Sequence, residues 1–374
     1  MKKKKTEVDK VNEREQNLDR QTDRQTDRQA GRVVFFDWLR IIATLAVVVI
    51  HCCSKESLEV ASYEWNTVHF YNCLSQWAVP AFVMISGALF LGREITLSKL
   101  FKKSIFRIGT AFLFWSVLYA CWRFFVTHEK NSIREMVLSI IKGHYHMWFL
   151  FLIVGLYLVV PLLNKIVENQ KLAVYFVALA FLFAFLFPQI INVVGLKFEG
   201  PASILNEFIS KFRVEMVLGY AGYFVLGYLL AQVRINKRAE ALIYVLGVGG
   251  LAVTFFASAW TAKHQGSTEL FSDELTVNIL MMTVAVFVFA KQHMNKPLKS
   301  EKATCVLSYI SKCTFGVYLV HPLIIDCLKR FVGITNLSFN PIISVPILAL
   351  IVFICSMGIS AILNKIPFVK KWFV

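Results

Sequence analysis

Arg40 and His51 are two ionisable residues within one long apolar stretch, and the ten residues between them carry no charge. On an α-helix, eleven positions of about 100° each bring His51 back to within roughly 20° of the direction of Arg40, some 16 Å further along the axis. The guanidinium of arginine suits phosphate groups, and a neutral imidazole can accept a proton. The pair therefore predicts a polar helix face with an anion-binding end and a proton-accepting end.

Asp37 and Thr44 lie near the same predicted face, three residues before and four residues after Arg40. Arg40 could instead pair with Asp37, bind lipid phosphate or anchor the helix at the membrane boundary. His51 could instead be hydrogen-bonded within a bundle of helices. Ionisable groups inside membrane spans are functional more often than those in soluble cores, so the shared face favours a function.

A second basic group, Lys102, Lys103 and Arg107, opens the third predicted span at the membrane level of Arg40. Together with Arg40 it could cradle an anionic cofactor. Lysine-rich helix starts on the inner face are also expected from topology alone, which is the stronger interpretation of the two lysines. Arg107 is the more informative member of the group.

Three histidines are predicted at similar depth near the outer side of the membrane. His51 ends the first span, His146 begins the fourth within the stretch 144–149, and His321 precedes Pro322 in the ninth. No His-x-x-x-His spacing or carboxylate pairing supports a metal, so the sequence predicts no metal site. Trp148 fits an aromatic belt, although a sugar would also stack on such a ring.

The composition predicts an all-α, polytopic integral membrane bundle. Hydrophobic residues make up 57% of the 374, and 33 residues are phenylalanine, far more than in soluble domains. A bilayer core about 30 Å thick needs roughly 20 apolar residues per helical crossing. Ten crossings are predicted, near 34–53, 72–92, 105–127, 147–164, 172–192, 215–233, 241–260, 275–291, 305–327 and 341–363.

The net charge of +16 is explained by topology. Basic residues concentrate in the loops that lie inside when the N-terminus is cytoplasmic, which predicts a multi-pass protein of the cell (inner) membrane with both termini in the cytoplasm and no nucleic-acid partner. The chain divides into a disordered N-terminal tail at 1–32, a transmembrane domain at 33–365 and a short basic tail at 366–374. Eight cysteines without a CxxC pair indicate neither a disulfide framework nor a zinc site.

Four ordered motifs together resemble the acyltransferase-3 family, and within it the stand-alone surface-polysaccharide O-acetyltransferases. The resemblance covers about residues 33–365. The motifs are Asp37-Trp38-Leu39-Arg40 with His51, the run 79–87, the run 146–150 with Tyr157 and Pro161, and the run 318–322.

This resemblance implies a ten-helix core that moves an acetyl group from cytoplasmic acetyl-CoA to a hydroxyl of a cell-surface or lipid-linked glycan, with membrane lipid around it. It makes His51 the essential base and Arg40 its partner. It matches Arg107 to the second arginine of a basic motif in the family's third helix, whereas Lys103 or Ser104 stands where another arginine is usual. The candidate residues are His51 and Arg40 for catalysis, Arg40, Arg107 and Lys103 for the cofactor, and His146, Trp148 and His321 for the substrate.

A secondary transporter or glycan flippase is the alternative from another functional class. Such a protein would also need about ten helices and polar groups inside the membrane, and the Arg40–His51 face would then be a path for protons or substrate. The predicted spans show no detectable inverted repeat, and the basic cluster aligns with a single outer histidine. Both features favour the acyltransferase.

Overall fold

The fold is described from a computed structural model, which covers residues 33–56, 58–93, 100–126, 132–211, 215–298 and 300–374, without the side chains of 102, 103 and 215–217. The predicted tail at 1–32 and the side chain of Lys103 therefore lie outside the described residues. Within those ranges the chain is helical, and no strand occurs there. The predicted all-α class is confirmed.

Nine helical stretches within the described ranges are long and apolar enough to cross a membrane. They coincide with nine of the ten predicted crossings, which confirms the polytopic bundle. The second stretch begins earlier than predicted, because Ser62 caps a helix there by accepting a hydrogen bond from the backbone N–H of Trp65 at 3.1 Å. The nine stretches are Val34–Cys52, Tyr63–Phe90, Phe106–Phe125, Ile133–Val167, Gln170–Gly195, Lys237–Gln265, Glu269–His293, Glu301–Val332 and Pro341–Lys365.

Several crossings consist of more than one helical segment. Short π-helical turns at Leu100–Ile105, Phe181–Leu186 and Leu328–Val332, and a 3₁₀ turn at Tyr145–Met147, adjoin α-helices. The α-helices of the described chain are α1 (Val34–Cys52), α2 (Tyr63–Ser75), α3 (Ala78–Phe90), α4 (Phe106–Phe125), α5 (Ile133–Lys142), α6 (Trp148–Val167), α7 (Gln170–Ala180), α8 (Phe187–Gly195), α9 (Glu199–Ser210), α10 (Glu215–Gln232), α11 (Lys237–Gln265), α12 (Glu269–Ser272), α13 (Val277–His293), α14 (Glu301–Cys327), α15 (Pro341–Lys365) and α16 (Pro367–Trp372).

The tenth predicted crossing, 215–233, coincides with α10, which is not among the nine and leaves helical geometry at Gly219. This helix packs closely on α3. A Cβ atom on Gly87 would overlap the carbonyl of Phe224, and one on Gly227 would overlap the carbonyl of Met84. Small residues allow such close approach of two helices in a membrane, so Gly87, the last residue of the run 79–87, serves packing.

Helix α1 lies at the centre of the bundle. It packs against α3, α13, α14 and α15, and its buried residues include Phe35, Leu39 and Val48. Contacts on several sides fix the rotation of this helix about its axis. The polar residues of α1 are therefore held at defined positions inside the protein.

Two prolines within spans free a backbone carbonyl for a side chain, because proline has no N–H to donate to the residue four positions earlier. Pro346 leaves the carbonyl of Ile342, which accepts the hydroxyl of Tyr71 at 2.8 Å. Pro322 leaves the carbonyl of Tyr318 in the same way. At these two positions, proline in a span leaves a carbonyl that accepts a polar side chain.

Candidate active site

The polar face of α1 is present as predicted. Helix α1 is continuous from Val34 to Cys52, so Arg40 and His51 share one side of it, about 16 Å apart along the axis. Thr44 is 2% exposed and donates its hydroxyl to the carbonyl of Arg40 at 2.7 Å. The two ends of this face are called the Arg40 end and the His51 end below.

The Arg40 end brings both predicted arginines together. Tyr157, on α6, lies within electrostatic range of the guanidinium groups of Arg40 and Arg107, and its ring stacks on Phe90 with centroids 4.3 Å apart. Arg107 comes from α4, and its Cζ atom lies 5.9 Å from the ring centroid of Phe315. Two cations beside a phenol form a site that suits an anion.

Residues 366–374 pack onto the Arg40 end. Nη2 of Arg107 donates to the main-chain oxygen of Val374 at 2.5 Å, and the indole N–H of Trp115 donates to the carbonyl of Phe373 at 3.0 Å. Val374 is 2% exposed. The segment predicted as a short basic tail therefore docks on α4 and engages one of the predicted anion-binding arginines.

Four histidines gather at the His51 end and are called the histidine cluster: His51, His144, His146 and His321. The ring centroid of His321 lies 5.0 Å from that of His51 and 5.5 Å from that of His146, which lies 5.0 Å from His144. The sequence predicted three of these residues at one depth. His144 was not among the predicted site residues. Its position two residues before His146 in the sequence could have indicated it.

The protonation of His321 is fixed by its own helix. Its Nδ1 lies 2.8 Å from the carbonyl of Tyr318, which Pro322 leaves free, and 3.2 Å from the carbonyl of Val317. A carbonyl oxygen can only accept, so Nδ1 carries the hydrogen and Nε2 of the neutral ring is an acceptor. The ring is 0% exposed, and its Nε2 has no partner among the described residues.

His146 has a second buried nitrogen without a partner. The residue is 2% exposed, and its Nε2 contacts no hydrogen-bonding group among the described residues. Its Nδ1 lies 2.8 Å from Nδ1 of His144, and its carbonyl accepts the hydroxyl of Tyr318 at 2.6 Å. Buried polar atoms in proteins are nearly always hydrogen-bonded, so these two nitrogens indicate a site for another molecule.

His51 is half-buried. Within the described chain its ring packs against Tyr145, with centroids 5.2 Å apart, and against His321, and it forms no hydrogen bond there. A neutral imidazole whose nitrogens are not already bonded can take a proton from a hydroxyl. The position is therefore compatible with the general-base role that the sequence predicted.

Another buried histidine, His69, is fully hydrogen-bonded and shows the contrast. Its Nδ1 accepts from Nζ of Lys55 at 2.9 Å, and its Nε2 donates to the hydroxyl of Ser258 at 2.8 Å, which in turn donates to the carbonyl of Thr254. Burial lowers the pKa of Lys55 below its usual value. The bond between His69 and Ser258 links α2 to α11, and both ring nitrogens of His69 are hydrogen-bonded.

Trp148 does not join the histidine cluster. It is 41% exposed and lies on the outward stripe of α6, with Phe151, Leu158 and Leu162 following at helical spacing. Its ring contacts Tyr220 with centroids 6.2 Å apart. This position suits the aromatic belt that the sequence left open as an alternative.

A polar rim that sequence reasoning missed borders the cluster. Asp326, five residues after His321 on α14, accepts the indole N–H of Trp122 at 2.7 Å and Nε of Arg330 at 2.8 Å. Tyr119 stacks on His144 with centroids 4.2 Å apart. Within the described ranges, no group of three or more His, Cys, Asp or Glu side chains could hold a metal ion.

Comparison with known proteins gives one match. A family model described as an acyltransferase domain matches residues 33–363, which is nearly the whole chain. No curated protein and no solved structure matches. The match includes α1, both arginines and the whole histidine cluster. The chain belongs to the acyltransferase-3 family and is a membrane acyltransferase.

Proposed function

We propose that this acyltransferase moves an acetyl group from cytoplasmic acetyl-CoA to a hydroxyl of a cell-surface or lipid-linked glycan. The observation that carries the proposal is α1 itself. One face of this helix has Arg40 at one end, near Arg107 of α4, and at the other end His51, whose ring forms no hydrogen bond among the described residues. The proposed setting is the cell (inner) membrane, with both termini in the cytoplasm.

The donor would bind at the Arg40 end. Arg40 and Arg107 offer planar guanidinium groups, which suit the phosphates of coenzyme A, and the phenol of Tyr157 lies within electrostatic range of both. Lys103, whose side chain is not described, would add a further positive charge. With its phosphates held there, the pantetheine arm would extend along the polar face and bring the thioester toward His51.

The reaction would then take place at the His51 end. His51 removes the proton from the acceptor hydroxyl while the oxygen attacks the thioester carbonyl. The new C–O bond forms, the C–S bond breaks, and the proton on His51 passes to the departing sulfur of coenzyme A. The buried rings of His146 and His321 line the place where the acceptor enters.

The test is transfer of label from radioactive acetyl-CoA in membrane vesicles that contain native acceptors. The intact protein is compared with His51→Ala at matched expression, and His264→Ala serves as control because this exposed histidine is outside the cluster. We expect label in glycan or lipid with the intact protein and the control, and a loss of about 10²–10⁴-fold for His51→Ala.

Two results would count against the proposal. Equal transfer by His51→Ala would leave an acyltransferase but remove His51 as its base. No acetyl transfer by intact, folded protein in the presence of native acceptors would argue against acetyl-CoA and a glycan, and would direct attention to another acyl donor or another acceptor.

A further inference from the structure

The proposed reaction leaves two buried nitrogens unexplained, Nε2 of His321 and Nε2 of His146. Burying a polar atom without a partner is unfavourable, so a protein that keeps two of them in adjacent rings has a use for them. The fully bonded ring of His69 shows that this fold can satisfy a buried histidine where it has only a structural role.

His321 is the more defined of the two. Its Nδ1–H is held by the carbonyls of Val317 and Tyr318, so its Nε2 can only accept a hydrogen bond while the ring is neutral. Its ring also lies between those of His51 and His146. Nε2 of His321 is thus a hydrogen-bond acceptor next to the proposed base. A suitable ligand has a second hydrogen-bond donor beside its reacting hydroxyl.

We propose that Nε2 of His321 accepts a hydrogen bond from a second hydroxyl of the acceptor, adjacent to the hydroxyl that His51 deprotonates. The site would thereby select a vicinal diol, as found on a sugar ring, over an isolated alcohol. This inference rests on the proposed function, since it takes His51 as the base. His321 is a positioning residue in this account, because it orients the acceptor and takes no proton from it.

The cluster also suits a neutral acceptor. Among the described residues, no carboxylate hydrogen-bonds to any of its four rings. Asp326, which borders the cluster, already pairs with Arg330. A protonated amine would therefore meet no hydrogen-bonding carboxylate at the rings, whereas hydroxyl groups need only acceptors. A site built to bond a substrate hydroxyl discriminates strongly against an analogue without it, because its own buried polar group is then left unpaired.

Two substitutions separate the functions of the two nitrogens of His321. In His321→Asn the amide N–H replaces Nδ1–H and can still bond to the carbonyl of Tyr318, but nothing replaces Nε2. In His321→Gln the longer side chain can place an amide oxygen near the position of Nε2. The label-transfer assay is run on both variants, with His51→Ala in parallel and with melting temperatures of the purified proteins to verify folding.

We expect His321→Gln to keep transfer within about tenfold of the intact protein, and His321→Asn to lose about 10²-fold or more with an unchanged KM for acetyl-CoA. The reverse order would show that His321 acts only through its bond to Tyr318. Loss in both variants equal to that of His51→Ala would make His321 a proton acceptor. Full activity in both would remove it from the site. Each of these three results overturns the proposal.

Binding of small probes tests the diol directly and without turnover. We expect cis-1,2-cyclohexanediol to raise the melting temperature of the intact protein more than cyclohexanol does, and this difference to vanish in His321→Asn. Equal effects of the two probes on the intact protein would overturn the diol preference even if His51 proves to be the base. If the intact protein transfers no acetyl group but is still stabilised more by the diol than by cyclohexanol, the proposed function alone is overturned.

Discussion

The two ends of α1 differ in charge and in how far their polar groups are already bonded. At the Arg40 end, cationic groups are engaged: Arg107 donates to the main chain of Val374. At the His51 end, four histidine rings lie together, and His146 and His321 each keep a nitrogen without a partner among the described residues. A ligand at the Arg40 end must replace the bond between Arg107 and Val374. At the His51 end, two ring nitrogens can bond to a ligand without first losing a protein partner.

This difference follows from the chemistry of each step. Binding of a phosphate needs positive charge, and a phosphate can displace a main-chain oxygen from a guanidinium because hydrogen bonds between charged groups are stronger. Proton transfer needs a proton acceptor held in position, here His51. Its neighbour His321 has a fixed tautomer, because Nδ1–H donates to the carbonyl that Pro322 leaves free. We therefore expect substitutions at the two ends to change different kinetic constants.

The largest effect is expected at the His51 end. His51→Gln keeps a polar side chain but cannot take up a proton at neutral pH, so kcat should fall by about 10²–10⁴-fold while the KM for acetyl-CoA changes little. Initial rates over a range of acetyl-CoA concentrations check this. If His51→Gln instead raised the KM for acetyl-CoA and left kcat unchanged, the assignment of donor binding to the Arg40 end and chemistry to the His51 end would be contradicted.

The next largest effect is expected at the Arg40 end. Arg40→Met keeps much of the side-chain volume and removes the charge, which should raise the KM for acetyl-CoA by about 10–100-fold, because hydrogen bonds to charged groups contribute roughly 1.5–3 kcal/mol. Arg40→Lys should recover part of the loss. If Arg40→Met lowered kcat alone, the arginine would act on the chemical step and not on donor binding.

A change away from both ends serves as a reference. Gly87→Ala places a Cβ against the carbonyl of Phe224 and should cost about 1–3 kcal/mol of stability through overpacking, without altering either kinetic constant of the folded protein. Gly249→Ala is the matched control, since no atom of another described element lies within 4 Å of its added Cβ. We expect a lower melting temperature for Gly87→Ala than for Gly249→Ala. Similar melting temperatures for the two variants would contradict the packing of α3 on α10.

The smallest effect concerns residues 366–374. Phe373 stacks on Phe114 with ring centroids 4.4 Å apart, so Phe373→Ala should loosen the segment, release Arg107 and lower the KM for acetyl-CoA by a few-fold. Phe256→Ala, at an exposed phenylalanine of α11, is the control. An increase in KM for Phe373→Ala would mean that the docked segment helps to hold the donor.

The geometry of α1 could be predicted because it depends on local order. A charge-free run between Arg40 and His51 and a fixed helical period were sufficient to place both side chains on one face. The positions of nine spans followed from apolar length in the same way. The early start of the second span depended on one capping serine, Ser62, outside the apolar run.

The contacts that distinguish the two ends could not be predicted. The bond between Arg107 and Val374 joins residues 267 positions apart, and the cluster unites His51 with His321 of α14. Periodicity within one helix carries no information on which helices become neighbours. It also left the outward direction of Trp148 open, since an aromatic ring at a span end suits both a membrane belt and a sugar site.

The central claim is that the donor arrives from the cytoplasmic side, binds at the Arg40 end and reacts at the His51 end, about 16 Å further toward the outer side of the membrane. Membrane-impermeant radioactive acetyl-CoA, added outside sealed vesicles of known orientation, tests it most directly. The account predicts label on the acceptor with inverted vesicles, whose cytoplasmic face is outside, and none with right-side-out vesicles. Label with right-side-out vesicles alone, or equally with both, would contradict it.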